Sequence, residues 1–173
     1  MPAPASNPAS ISIGELLTRE HREIDAGIEA FVARARNGAE DATGNWVAPL
    51  LDAMTALRRH IYLEEAFLFP PIRAAGLMMP IMVMLREHGE LWRAMDQLGE
   101  ALESGTGDSC QRHNLVTRCG TMLELLEAHN SKEEPIIYSR ADVDLSEAAH
   151  AELARFLRTG STPPGWVCER AAG

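Results

Sequence analysis

Apolar residues recur at helical spacing in four long segments of this chain, and clear turn signals separate them. In the first, Ile13, Leu16, Leu17, Ile24, Ile28, Phe31 and Val32 fall on one face. Ser12 stands three residues before Glu15 as a capping box, so a helix is predicted from Ser12 to Arg36, with Asn37-Gly38 as its stop. A polar turn (GAEDATGN) follows, and Trp46, Leu50, Met54, Leu57, Ile61 and Leu68 mark a second helix that Pro70-Pro71 ends or bends. The third opens near Pro80 and carries Met84, Leu85, Leu91, Met95, Leu98 and Leu102 up to Ser104-Gly105. The fourth begins at Asp108 or Ser109 and carries Leu115, Val116, Cys119, Met122, Leu125 and Leu126. Ser139 to Asp142 reads as a turn, after which a shorter amphipathic helix starts at Asp144. Strand-like alternation is absent, and no internal repeat of fixed period is visible.

Four long helices on short connections predict an all-α, up-down-up-down four-helix bundle with a short fifth C-terminal helix. The expected organisation is a disordered lead over 1–11, the bundle over 12–140, and a short helix with an irregular Pro/Gly-rich tail over 141–173. Aromatics are 5% of the residues against 46% hydrophobic, which suits helices rich in Ala, Leu and Met. The formal net charge of −9 argues against a nucleic-acid partner or an anionic membrane surface. The longest apolar run, Gly76 to Leu85, carries Pro80 and is too short to span a bilayer, and Met1 to Ser10 has neither the charge nor the apolar core of a signal peptide. Three cysteines without CxxC spacing exclude a disulfide framework, so reduced thiols and a cytoplasmic location are expected.

Each long helix carries one histidine in its apolar stripe: His21, His60, His88 and His129. In an antiparallel pair of helices, two positions share a height when their sequence midpoint falls in the connecting turn. The midpoints of His21/His60, His60/His88 and His88/His129 all fall in turns assigned above on other grounds, so the four imidazoles are predicted to share one layer. Glu64 and Glu133 follow His60 and His129 by four residues, one turn along the same faces and on the same side of that layer. Two buried carboxylates beside neutral imidazoles need compensating cations. Two divalent metals meet that need, each with two histidines and with both glutamates bridging. Mixed imidazole and carboxylate donors suit iron first, then manganese or zinc. Six protein donors for two ions leave open positions for a small-molecule ligand: dioxygen, nitric oxide or peroxide.

The set His21, His60-IYL-Glu64, His88 and His129-NSK-Glu133, with the stretch EEAFLFP, resembles the hemerythrin-like (HHE cation-binding) family over roughly residues 12 to 140. The resemblance implies two non-haem iron ions, oxo- or hydroxo-bridged when oxidised, held by those six residues. It implies reaction with small diatomic ligands or peroxide in oxidative or nitrosative stress response or sensing. Iron handling, repair of iron–sulfur centres and reversible oxygen binding are the alternatives. Oxygen carriers of the family have a further histidine where Trp92 stands and take their last carboxylate where Glu134 stands. The set here is closer to the symmetric four-His, two-Glu arrangement of the repair and sensing branches, and the two irons are expected to be more alike than in a carrier. The repair proteins carry an N-terminal segment with cysteine, and the residues before Ile11 hold none. A ferritin-like site would need two Glu-x-x-His motifs, and Glu147 to His150 is the single copy.

Other residues carry weaker expectations. Asp25 is one turn from His21, where it could orient the ring, and Glu65 and Glu134 are alternatives to the adjacent bridging glutamates. Trp92 and Tyr62 are weighed as lining an approach to the metals against plain core packing. His113 and His150 are expected at the surface, as are Cys110 and Cys168, while Cys119 reads as core. The methionines between 78 and 84 read as core or loop packing or as the interface of a homodimer.

Overall fold

Ser12 opens the first helix as its spacing predicts: its hydroxyl accepts from the Glu15 N–H at 3.1 Å, and the Glu15 carboxylate accepts from the Ser12 N–H at 2.8 Å. In a computed structural model, which describes residues 11–38 and 45–172, α1 spans Ile13–Arg36 and stops at Asn37 before Gly38, whose φ is +64°. The lead before Ile11 and most of the turn after Gly38 lie outside the described residues. A short 3-10 turn, Asn45–Val47, leads into α2 (Ala48–Leu63).

Pro70-Pro71 neither end the second helix nor simply bend it. Residues Glu64–Leu68 form a π-helical turn in which the Phe69 N–H reaches back to the Glu64 carbonyl, and α3 (Phe69–Ala74) continues with the prolines in its first turn. A proline in an ordinary helix collides with the carbonyl four residues earlier, and widening the preceding turn relieves that collision. Next come α4 (Met78–Glu103) and α5 (Ser109–Glu133), the latter with a capping box between Asp108 and Gln111. A second π turn, Glu134–Tyr138, carries the chain into α6 (Ser139–Asp144), so the segment read as a turn at Ser139 to Asp142 is helical. The C-terminal helix α7 (Glu147–Thr159) starts from the cap of Ser146, whose hydroxyl accepts from the Ala149 N–H, two residues later than expected.

The protein is thus an all-α four-helix bundle with a C-terminal helix, and α1 packs on α2 and α5 while α4 packs on α5. Its apolar interior is two clusters, not one. Leu17, Leu63, Leu85 and Ile137 belong to one; Ile24, Leu57, Leu91 and Leu126 belong to the other. Each of the four layer histidines falls in sequence between members of the two clusters, so the polar layer is closed off by hydrocarbon at both ends. None of the described helices is long and apolar enough to cross a membrane.

The tail is irregular but ordered against the bundle. Trp166 packs edge-on against Tyr62 and Trp92, with ring centroids 5.0 and 5.5 Å away, and Arg93 donates to the Arg170 carbonyl at 3.0 Å. Gly89 makes this approach feasible, because a Cβ there would lie 2.3 Å from the Arg170 carbonyl oxygen. Cys168 is therefore buried, against the expectation of exposure. Cys110 is exposed and Cys119 lies in the core.

Candidate metal centre

All six residues singled out by spacing meet in the bundle interior and are buried: His21, His60, Glu64, His88, His129 and Glu133. Their donor atoms form two groups, His21/His60/Glu64/Glu133 and His88/His129/Glu64/Glu133, each with all atoms within 4.8 Å of one another. The imidazoles pair as those groups require, with ring centroids 4.7 Å apart for His21/His60 and 5.0 Å for His88/His129. Glu64 spans both groups through different oxygens, Oε1 at 3.0 Å from His60 Nε2 and Oε2 at 3.2 Å from His88 Nε2. Glu133 Oε2 lies 3.0 Å from His129 Nε2 and 3.5 Å from His21 Nε2.

Every one of the four rings presents Nε2 to this centre and Nδ1 to an outer carboxylate. The contacts are His60 to Glu20 at 2.7 Å, His88 to Glu65 at 2.9 Å, His21 to Glu134 at 3.0 Å and His129 to Glu87 at 3.1 Å. Such carboxylates fix the orientation of a metal-bound imidazole and raise its basicity. They are held in their turn. Arg59 donates to Glu20 at 3.1 Å, Lys132 to Glu87, and the Glu169 N–H of the tail to Glu65 at 2.9 Å.

The set has an internal symmetry that a search for a fixed repeat misses. Glu20-His21, His60, Glu64-Glu65 and Phe69 on the first half answer, in order, to Glu87-His88, His129, Glu133-Glu134 and Tyr138 on the second. The Glu-His and Glu-Glu doublets were the available signal for Glu20 and Glu87, which the spacing analysis did not single out. Glu65 and Glu134 contact the Nδ1 atoms of His88 and His21 and belong to neither donor group. Asp25 does not orient His21; its Oδ1 is buried with no hydrogen bond. Trp92 packs on Trp166 and beneath the Arg58 guanidinium, and Tyr62 packs on Phe67, Phe156 and Trp166, so both are packing residues. His113 is exposed, and His150 is a surface group 3.5 Å from Asp142.

Tyr138 is a further site residue that sequence reasoning missed. Its phenol oxygen lies 2.8 Å from His21 Nε2 and 3.0 Å from His60 Nε2, donates to Glu64 Oε1 at 2.6 Å, and stands 3.2 Å from Glu133 Oε2. The two halves are therefore not alike. A cavity of ≈ 570 Å³ between α1 and the second π turn is lined by Arg19, Arg22, Glu134 and Tyr138, among others.

The electrostatics show what the centre needs. Burial opposes charge on His60, but Glu64 and Glu20 outweigh it and push its pKa up to about 10; Glu133 and Glu87 do the same for His129, also to about 10. Burial and the neighbouring His60 lower the pKa of His21. Glu64 is held well below the usual carboxylate range, against its burial, by His60 and His88. Protons on imidazoles thus balance the inner carboxylates when no cation does. Of the buried atoms that face the centre, Glu133 Oε1 has no hydrogen-bond partner, and Glu64 Oε2 and His88 Nε2 stand 3.2 Å apart without the alignment of a hydrogen bond. Imidazole and carboxylate donor atoms that converge on one buried layer in this way fit cation ligands.

Helical bundle, paired His-x-x-x-Glu motifs and outer carboxylates define a cation-binding bundle protein. The chain belongs to the hemerythrin family: the family model described as the hemerythrin HHE cation binding domain matches residues 12–141. It is 31% identical over 146 residues to the iron–sulfur cluster repair protein DnrN of Neisseria gonorrhoeae, an alignment covering 77% of this chain and 91% of that protein. No solved structure matches the chain.

Proposed function

We propose that this chain is a non-haem di-iron protein that serves the repair of iron–sulfur centres under oxidative or nitrosative stress, in the cytoplasm. The observation that supports the metal reading is the group of converging donor atoms, with four Nε2 atoms and two shared carboxylates facing one closed layer. Similarity to a curated repair protein along nearly its whole length favours repair over oxygen carriage. So does Trp92, which stands where a carrier has its further histidine and packs into the core.

In this reading His21 and His60 would hold one iron and His88 and His129 the other, with Glu64 and Glu133 available to both. Bound iron supplies redox chemistry and open positions for nitric oxide, peroxide or dioxygen. The residues of the chain do the rest. Glu20, Glu65, Glu87 and Glu134 keep the Nδ1 protons in place, which leaves every Nε2 lone pair directed inward. The apolar clusters at both ends of the layer exclude bulk water, and the two π turns begin directly at or after the bridging glutamates.

The test has two stages. Elemental analysis after iron-replete expression is expected to give two irons per chain. The loaded protein is then expected to restore activity to a nitric-oxide-damaged [4Fe–4S] dehydratase, with metal-free protein as control. One zinc and no iron refutes the di-iron reading; recovery no better than the control refutes the repair role.

A further inference from the structure

The phenol of Tyr138 has no part in the six-residue set, yet its oxygen has four of that set's donor atoms as neighbours, at 2.6, 2.8, 3.0 and 3.2 Å. We propose that the phenol oxygen of Tyr138 is a seventh protein ligand, bound as phenolate to the iron held by His21 and His60, so that the two metal positions are chemically unequal. This rests on the di-iron reading above and adds to it a residue that the family's His and Glu pattern does not contain.

Three observations carry it. Donor atoms that share one first-row ion at about 2.1 Å stand about 3.0 Å apart when they are at right angles around it. The phenol oxygen holds that relation to His21, His60, Glu64 and Glu133 together, which are the four members of one cation-competent group. A tyrosine present for packing alone would direct its hydroxyl to one acceptor or to solvent.

The second observation is the matching position in the other half. Phe69 stands as far beyond His60 as Tyr138 stands beyond His129. Its ring stacks on His88 with centroids 5.3 Å apart and planes at 17°, and the Tyr138 ring lies 5.3 Å from that of His21. A phenyl ring therefore fills this place in the fold. What Tyr138 adds is one oxygen atom, carried on a buried side chain and set among four donor atoms.

The third is the proton count. One phenol proton can be given to Glu64 Oε1 or to Glu133 Oε2, not to both, so one carboxylate faces the phenol oxygen with no donor between them. A cation removes the conflict. The iron–oxygen bond forms as the O–H bond breaks, the proton leaves to solvent, and no electron is transferred in the step.

The chain has two tyrosines, which makes the test unambiguous. Iron-loaded, oxidised wild-type protein is expected to show a visible phenolate-to-iron charge-transfer band, with phenolate ring modes in resonance Raman excited within it. Tyr62→Phe, at a ring packed among Phe67, Phe156 and Trp166, is expected to keep both signals. Tyr138→Phe is expected to lose both while retaining two irons and its helical circular dichroism. Wild-type protein that contains two ferric ions and shows no phenolate modes overturns the proposal and leaves the di-iron reading standing; a chain that takes up no iron overturns both. If Tyr138→Phe does not fold, the wild-type and Tyr62→Phe spectra still decide, because a band lost with Tyr62 would assign it to the wrong residue.

Discussion

Glu20 makes the shortest of the four outer contacts, 2.7 Å from His60 Nδ1, and tests whether these carboxylates tune the centre. Removing such a partner lowers metal affinity about 10- to 100-fold, or about 1.4–2.8 kcal/mol. Glu20→Gln keeps an acceptor oxygen and loses the charge, and a charge-assisted hydrogen bond is roughly twice as strong as a neutral one. The expected loss is therefore about tenfold for Gln and nearer 100-fold for Ala. Glu20 also accepts from Arg59, whose guanidinium holds the end of α7 through the Phe156, Leu157 and Gly160 carbonyls at 2.8–3.0 Å. That partly exposed pair is worth about 0–1 kcal/mol, so global stability changes little while metal affinity falls. The assay is competition of the iron-loaded protein against a chelator of known affinity, with urea unfolding in parallel. Glu23→Gln, exposed on the same helix, is the control. Wild-type affinity in Glu20→Gln and Glu20→Ala, or an equal loss in Glu23→Gln, would refute the reasoning.

Three further perturbations separate the centre from its surroundings. His60→Ala and Glu64→Ala are expected to lose metal and about 1–3 kcal/mol of stability for each buried partner left unpaired, whereas His113→Ala and His150→Ala leave metal content and melting temperature unchanged; equal losses from both sets would contradict the layer. Burial, with Glu29, Glu127 and Glu134, raises the Asp25 carboxyl from 3.8 to about 6, so between those values the folded chain holds a proton that the unfolded chain has released, and stability falls as pH rises through that window. Asp25→Asn removes the repulsion: after allowance for solvent screening it is expected to stabilise metal-free protein by roughly 1 kcal/mol at pH 7 and by nothing below about pH 3, and urea titrations at the two pH values check the sign. Gly89→Ala is expected to push the tail off α4, so that Cys168, whose thiol burial and Glu65 raise to about 11, reacts with a thiol reagent alongside Cys110; a second thiol that stays unreactive would show that the tail tolerates the Cβ.

The bundle and the six-residue layer are legible in the sequence because both follow from regular helix geometry. Capping boxes at Ser12 and Asp108 fix where two helices start, and equal rise per residue converts turn positions into heights. Tyr138 defeats the same rule. Nine residues after His129 on an unbroken α-helix, it would sit half a turn round, facing away from the histidine. The π turn at Glu134–Tyr138 takes up about one residue's rotation, about 100°, and so brings the phenol round toward the centre, and nothing in the apolar stripe announces the turn except Pro135. Glu20 and Glu87 were hidden for a different reason. Each precedes a layer histidine by one residue and so cannot share its face; each serves the histidine of another helix, a contact that periodicity along a single helix does not describe.

The charges arranged around the layer point to the same occupant as its geometry. Two inner and four outer carboxylates surround four imidazoles, and Arg59 and Lys132 pair with Glu20 and Glu87. Two divalent cations would bring this constellation to neutrality with every imidazole uncharged. Without them the balance falls to protons, which is why the carboxylates hold His60 and His129 in their charged forms up to about pH 10. Binding of divalent cations therefore displaces protons, and uptake weakens as pH falls. Oxidation of both ions to the trivalent state would leave an excess of two positive charges inside a closed apolar layer, which is costly unless anions are supplied. The Tyr138 phenolate can supply one of them from within the fold, on the His21/His60 side. The corresponding place on the His88/His129 side is the ring of Phe69, which can supply none, so any further anion there must come from solution.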